Sequence, residues 1–448
     1  MLLTIHQILK LSVFTRSRRL AASWPLPMIL LVVIFSTGAW QILSSDVVAA
    51  TAGSSQLSDR VSRQLLYVQK LLDQKKIQEA QNRLTEMVGK SRLHDYEAAV
   101  IYQTLGYVYA ENNDHKNTIK AFEKSLEYDV LSTIVQQSLR LNLGQLYLSL
   151  GDYEKGTSIL EQWLASEKTS NKQIHELLAI GYYHQQLFKK SLLHLNKVID
   201  STGQPKKGLY QLAAAIHFEL SLFKESVELL QKAVKLFPQE KDFWRQLAYV
   251  YRELDQAESA VATLSLAYKT GLLDADDILL LARLYLSQEI PYKAAELIQR
   301  EIESGTIPVN TASISLLARS WRQARELDKA ASSYATLASM EKDGEAYYQQ
   351  AQVYLEMQQW KPAVIALENA LDKGLEQHKG RAYLLLGVAR YELNQLDSAK
   401  RALKYAAEVA SIKTQAQQWL QQVKTSQEEQ KELCELQQSS NCGVFVSN

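Results

Sequence analysis

The sequence predicts an all-α chain in which antiparallel helix pairs stack one upon the next. Composition is the first observation. Of 448 residues only 17 are glycine and 7 are proline, too few turn formers for a β-sandwich or barrel. Hydrophobic residues at 46% against 22% charged leave ample apolar surface for a core. The second observation is a recurring pattern, clearest at Trp244, Leu247, Ala248 and Tyr251, then Ala260, Leu264 and Ala267. A large residue, Leu, a small residue and an aromatic at these spacings make one helix with a packing stripe. A small residue nine positions after the aromatic, then apolar residues four and seven further on, make a second helix. Fifty basic and 49 acidic residues give a net charge of +1, which offers no bulk attraction for nucleic acid.

The first fifty residues stand apart. Lys10, Arg16, Arg18 and Arg19 precede an uncharged run from Trp24 to Leu43, and the first acid is Asp46. A basic flank before an apolar run reads as a secretory signal or a membrane anchor that leaves residues 1–23 in the cytoplasm. Val48-Ala49-Ala50 and Ala50-Thr51-Ala52 offer small-residue cleavage sites, whereas the run from 24 to 43 is long enough to cross a bilayer uncleaved. Residues 1–52 are therefore assigned to a signal peptide or anchor that sends the remainder across the membrane. No cysteine lies near this segment, which excludes a lipoprotein.

From residue 57 to 424 the repeat runs through the chain. Its first-helix small position falls at Val68, Gly106, Gly144, Ala179, Ala214, Ala248, Ala282, Ala318, Ala351 and Gly387, with gaps of 33 to 38 residues. The second-helix small position is Ala80, Ser191, Ser226, Ala260, Ala294, Ala330, Ala363 and Ala399, with Thr118 and Gly156 in two early units. This frame resembles the tetratricopeptide repeat. It implies ten helix pairs in one right-handed superhelix without separate domains. Gly156 is expected to weaken its helix by about 1 kcal/mol relative to Ala. Pro291 and Pro362 fall in the first turns of second helices, where a missing N–H is tolerated. Turns are expected at Gly151, Gly203, Gly271, Gly305, Gly344 and Gly374.

Residues 425–448 are expected to form a polar capping helix and a tail that covers the open end of the stack. Cys434 and Cys442 have seven residues between them. In an oxidising compartment they are candidates for a local disulfide; the alternative is two free thiols on a frayed end.

No catalytic constellation is present. H-E-x-x-H, G-x-S-x-G and G-x-G-x-x-G are all missing, and Gly89-Lys90-Ser91 lacks the first glycine of a phosphate loop, Leu84 standing there. The histidines are scattered without metal-ligand spacing. No enzymatic activity, cofactor or metal is expected. In an array of this kind the first helices line a concave groove. The expected groove positions include Arg245, Tyr249, Arg252, Arg283, Arg319, Arg322, Tyr348 and Gln352. Arginine offers a planar fork to carboxylates, so this stretch is a candidate grip for an extended peptide with acidic residues or a free C-terminus. The competing reading pairs these arginines locally with Glu253, Asp276 and Glu326. On the groove reading, exchanging Arg319 and Arg322 for Glu abolishes capture without unfolding the array.

Four segments carry a narrower resemblance: Phe243–Tyr251, Ala282–Ala295, Gln323–Ala330 and Ala382–Gly387. Over roughly residues 60–424 the chain is similar to periplasmic tetratricopeptide proteins of Gram-negative marine bacteria associated with TonB–ExbB–ExbD systems. That resemblance implies a non-enzymatic scaffold with protein partners, TonB, ExbB or ExbD among them, in energy transduction for iron uptake. The alternative within the same physical class is an assembly scaffold for envelope polysaccharide or protein secretion.

Overall fold

The computed structural model describes residues 57–90, 92–166, 171–199 and 206–436. The leader at 1–52 and the proposed pairing of Cys434 with Cys442 lie outside what it describes. Among the described residues there are helices and turns and no strand. No described helix is long and apolar enough to cross a membrane.

The chain divides between Phe237 and Pro238 into two compact units. The first holds α1 (Asp59–Asp73), α2 (Ile77–Lys90), α3 (Asp95–Glu111), α4 (His115–Glu127), α5 (Thr133–Ser149), α6 (Tyr153–Ser166), α7 (Lys172–His184), α8 (Phe188–Ile199), α9 (Lys207–Glu219) and α10 (Phe223–Leu236). The second holds α11 (Lys241–Glu253), α12 (Ala257–Lys269), α13 (Ala275–Ser287), α14 (Pro291–Glu303), α15 (Thr311–Gln323), α16 (Leu327–Met340), α17 (Glu345–Glu356), α18 (Trp360–Lys373), α19 (Lys379–Glu392), α20 (Leu396–Ala407) and α21 (Lys413–Leu436). Among the described residues these are ten successive helix pairs followed by one further helix. The sequence reading expected one undivided array. A stack in which each pair touches only its neighbours has no single core, so its packing divides readily.

The small positions decide how closely paired helices approach. The second-helix residues Ala80, Thr118, Ser191, Ser226, Ala260, Ala294, Ala330, Ala363 and Ala399 are all completely buried. A Cβ on Gly106 would lie 2.4 Å from the Phe122 ring, and one on Gly144 would lie 2.6 Å from Leu160. Gly156 follows the same logic. Its Cβ would stand 2.8 Å from Leu148 Cδ2 and 3.1 Å from the Gly144 carbonyl, so the propensity lost there accompanies a closer α5–α6 contact.

The turn inside each pair is uniform, and sequence reasoning missed most of it. Seven residues after each first-helix small position the chain enters the left-handed region, at Lys75, Asn113, Gly151, Gln186, Ser221, Asp255, Glu289, Arg325, Gln358 and Asn394. The next residue's N–H then reaches back five residues, as in Ile290 to the Tyr285 carbonyl at 2.9 Å and Gln395 to the Arg390 carbonyl at 2.8 Å. This is the Schellman closure, which satisfies helix-end carbonyls. Only Gly151 among the ten announced itself in the sequence.

The capping helix was expected from residue 425. Instead α21 is continuous from Lys413 to Leu436. Ala416 and Val423 are buried against Leu403 and Ala406 of α20. Beyond Val423 its contacts are polar: Gln427 Nε2 donates to Asp397 Oδ1 at 2.8 Å and Gln430 Nε2 to Asn394 Oδ1 at 2.6 Å. The change from apolar to polar contact at 424 falls within one helix because the backbone ladder continues through it.

Candidate functional site

The second unit contains a cavity of about 400 Å³ bounded by α15, α16 and the start of α17. Ser315, Arg319, Arg322 and Gln323 stand on α15. They follow one another at helical spacings, so the sequence placed them on one face before any fold was known. Tyr334 and Leu337 of α16 form the buried floor. Glu341, Glu345 and Gln349 form the opposite wall.

The two arginines differ. Arg322 is committed: its Nε donates to Glu356 Oε1 at 2.9 Å, Nη1 to Gln349 Oε1 at 3.1 Å and Nη2 to Gln352 Oε1 at 3.1 Å. This forked arrangement ties α15 to α17 and neutralises the charge. Arg319, one turn earlier, is exposed and has no ion pair among the described residues. Across the cavity, burial followed by the neighbouring Asp343 raises the Glu341 carboxyl above its usual range. Glu345 accepts from Gln349 Nε2 at 3.0 Å and lies 2.9 Å from His378 Nδ1. The cavity therefore offers the Arg319 guanidinium without an ion pair, with Glu341, the His378-bound Glu345 and the neutral Gln349 across from it.

The other expected groove residues are distributed unevenly. Arg245 Nε donates to Asp277 Oδ1 at 2.9 Å. The local partner is thus Asp277 rather than the Asp276 expected from the sequence, because Asp277 is the buried one, 1% exposed, on α13. Glu326 pairs with Lys329 and not with an arginine of the groove. Tyr249 is half-buried, and burial followed by Glu253 pushes its hydroxyl up to about 12. Arg252 and Arg283 are exposed. Tyr348 is 1% exposed and stacks on His378 with ring centroids 5.0 Å apart, so its ring is not offered to solvent. Gln352 is occupied by Arg322. Of the eight, only Arg319 and Arg322 line the cavity.

A buried histidine pair in the first unit escaped the sequence reading. His175 Nδ1 and His194 Nδ1 are 2.8 Å apart, and both rings are at most 5% exposed. His194 Nε2 lies 3.4 Å from Glu161 Oε1, which also accepts from the Tyr182 hydroxyl at 2.9 Å. A His194 tautomer protonated at Nε2 would direct that N–H to the carboxylate and let its Nδ1 accept from His175. The spacing of 19 residues between these histidines carries no motif. Among the described residues no three metal-ligating side chains converge.

Two family models described as tetratricopeptide repeat match the chain, one over residues 99–129 and 138–167 and the other over 345–373. No curated protein matches the chain. Similar solved structures include a tetratricopeptide repeat protein from Parabacteroides merdae ATCC 43184, 13% identical, with a TM-score of 0.34 over 59% of this chain and 99% of that one. MamA AMB-1 is 22% identical, with a TM-score of 0.32 over 38% of this chain and 90% of its own. YrrB, described as a TPR protein with an unusual peptide-binding site, is 14% identical, with a TM-score of 0.34 over 42% and 91%. Among the described residues this chain is all-α, built of successive helix pairs, and it is similar to the tetratricopeptide repeat over residues 99–129, 138–167 and 345–373.

Proposed function

We propose that the protein is a non-enzymatic scaffold in the periplasm of a Gram-negative envelope, held at the inner membrane by residues 24–43. In this role it captures protein segments as an accessory to a TonB–ExbB–ExbD energy-transduction system for iron uptake. Capture rests on one observation: the cavity on α15–α17 presents Arg319 without an ion partner. A carboxylate on an extended partner segment, side chain or C-terminus, fits that guanidinium. The envelope assignment is supported by the basic and apolar leader and by the four segments that resemble the TonB-associated proteins.

Crosslinking in intact cells, followed by purification through a C-terminal tag, tests both parts. TonB, ExbB or ExbD should accompany the wild type and be lost from Arg319→Glu. Recovery of polysaccharide- or protein-secretion components instead would replace the TonB assignment while leaving the scaffold intact. Partner recovery unchanged in Arg319→Glu would remove the cavity as the site.

A further inference from the structure

The first helix of the stack carries an outward face that no described element covers. Val61, Leu65, Val68 and Leu71 of α1 turn inward and are buried. On the opposite side, Arg63, Leu66, Tyr67 and Lys70 follow one another at i, i+3, i+4 and i+7, which is a single helix face. Leu66 is 70% exposed and Tyr67 50% exposed. Among the described residues Arg60 and Lys70 have no ion pair, and Arg63 Nε donates to the Asp59 carbonyl. Two acids share this side. Asp59 lies at its first turn, and Asp73 is occupied by Gln69 Nε2 at 2.9 Å. A leucine and a tyrosine framed by long cationic side chains match the interface of an anionic bilayer. There the rings and methyls enter the headgroup boundary while the charges reach phosphate.

Position in the chain points the same way. The stretch read as an anchor ends at Leu43 and α1 begins at Asp59. The intervening segment spans at most about 50 Å when fully extended. An anchor at 24–43 would hold α1 within reach of the bilayer and raise its effective concentration there.

We infer that the outward face of α1, centred on Arg63, Leu66, Tyr67 and Lys70, docks on an anionic phospholipid surface. The inference rests on the inner-membrane reading above, and its test separates the two. The full chain carries benzoylphenylalanine in place of Tyr67, is mixed with phosphatidylcholine or phosphatidylglycerol vesicles and irradiated, and intact mass is read. A phospholipid adduct is expected with phosphatidylglycerol. Its yield should fall about tenfold or more on Arg60→Glu/Arg63→Glu/Lys70→Glu, as three surface charges reversed against an anionic bilayer require. The same label replacing Ile134, which is 77% exposed on α5 of the same unit, should give no comparable adduct. An adduct to protein, equal yields on the two lipids, or equal yields at positions 67 and 134 would overturn the docking surface. The same mass reports the leader. A chain already cut near residue 50 defeats the anchor and leaves docking to be judged by the adduct alone.

Discussion

Arg245 on α11 joins Asp277 on α13 through a 2.9 Å hydrogen bond, and so fastens the first helices of two successive pairs. Asp277 is the buried end of this link. Burial raises its carboxyl, with Asp274 adding and Arg245 opposing. Burial acts on Asp274 as well, but bonds from Lys241 and from the Asp277 backbone outweigh it and hold that carboxyl at about 2. Removing the exposed partner is therefore the more harmful change. Arg245→Ala should cost about 1–3 kcal/mol, because it leaves a buried carboxylate with Lys241 Nζ no nearer than 3.7 Å. Adding Asp277→Asn should recover part of that loss. Denaturant unfolding of the four proteins of this cycle checks it; additive losses would mean the pair is not coupled.

The glycines at first-helix small positions should behave opposite to helix propensity. Gly106→Ala would gain about 1 kcal/mol from propensity alone. Its Cβ, however, would meet the Phe122 ring at 2.4 Å, so a net loss of roughly 1–3 kcal/mol is expected. Gly89 on α2 has nothing within 4 Å of its hypothetical Cβ, and Gly89→Ala should raise the melting temperature. Equal effects from the two substitutions would show that close helix approach is not what places glycine at 106.

The left-handed turn residues yield a stabilising prediction. Glu289 sits at φ 58° between α13 and α14. A side chain in that region costs about 1–2 kcal/mol that glycine does not incur. Glu289→Gly should therefore raise stability, by less than this amount because glycine also loosens the unfolded chain. Gly151→Ala, at φ 83°, should lower it. A lower melting temperature for Glu289→Gly would show that its side chain contributes contacts that outweigh the backbone relief.

What the sequence made legible follows from what repeats. Small residues recur because every pair must approach its mate, so ten pairs could be counted from Val68 to Gly387. The turns did not show, because a left-handed residue closed by a Schellman bond tolerates Lys, Gln, Ser, Asp, Glu and Arg as well as glycine. At the cavity, helical spacing put Arg319 and Arg322 side by side. Which one was already occupied depended on Glu356, 34 residues after Arg322 and one pair further on. Tyr348 was placed in the groove by the same spacing, yet its ring turns onto His378, a residue no periodicity links to it.

Acidification should loosen the first unit around α7 and α8. Burial lowers both His175 and His194 below their ordinary 6.5; Lys197 acts in the same direction on both, and Glu161 opposes. Groups with depressed folded values take up fewer protons folded than unfolded. Stability is therefore full above about pH 6.5 and falls as pH drops toward the lowered folded values. Two imidazolium rings would also place two Nδ1–H donors 2.8 Å apart. Hydrogen exchange at pH 7 and pH 5, corrected for intrinsic rates, should show lost protection in α7 and α8. The loss should be smaller in His175→Phe, which removes one of the two titrating groups. Identical protection at both pH values would refute it.

Arg319 and Arg322 should separate binding from folding. The sequence reading expected exchange of both to leave the array intact, but Arg322 holds Glu356, Gln349 and Gln352 across α15 and α17. Arg322→Glu would set like charge against Glu356 and break three bonds, so it should destabilise the second unit by roughly 1–3 kcal/mol. Arg319 touches no carboxylate, and Arg319→Glu should change stability by no more than about 0.5 kcal/mol. Thermal unfolding of the single variants, read beside partner recovery from crosslinked cells, distinguishes the roles. Loss of capture in Arg319→Glu at unchanged melting temperature assigns Arg319 to the partner. A matching fall in melting temperature would mean that Arg319, too, supports the fold, and the cavity would lose its one available cation.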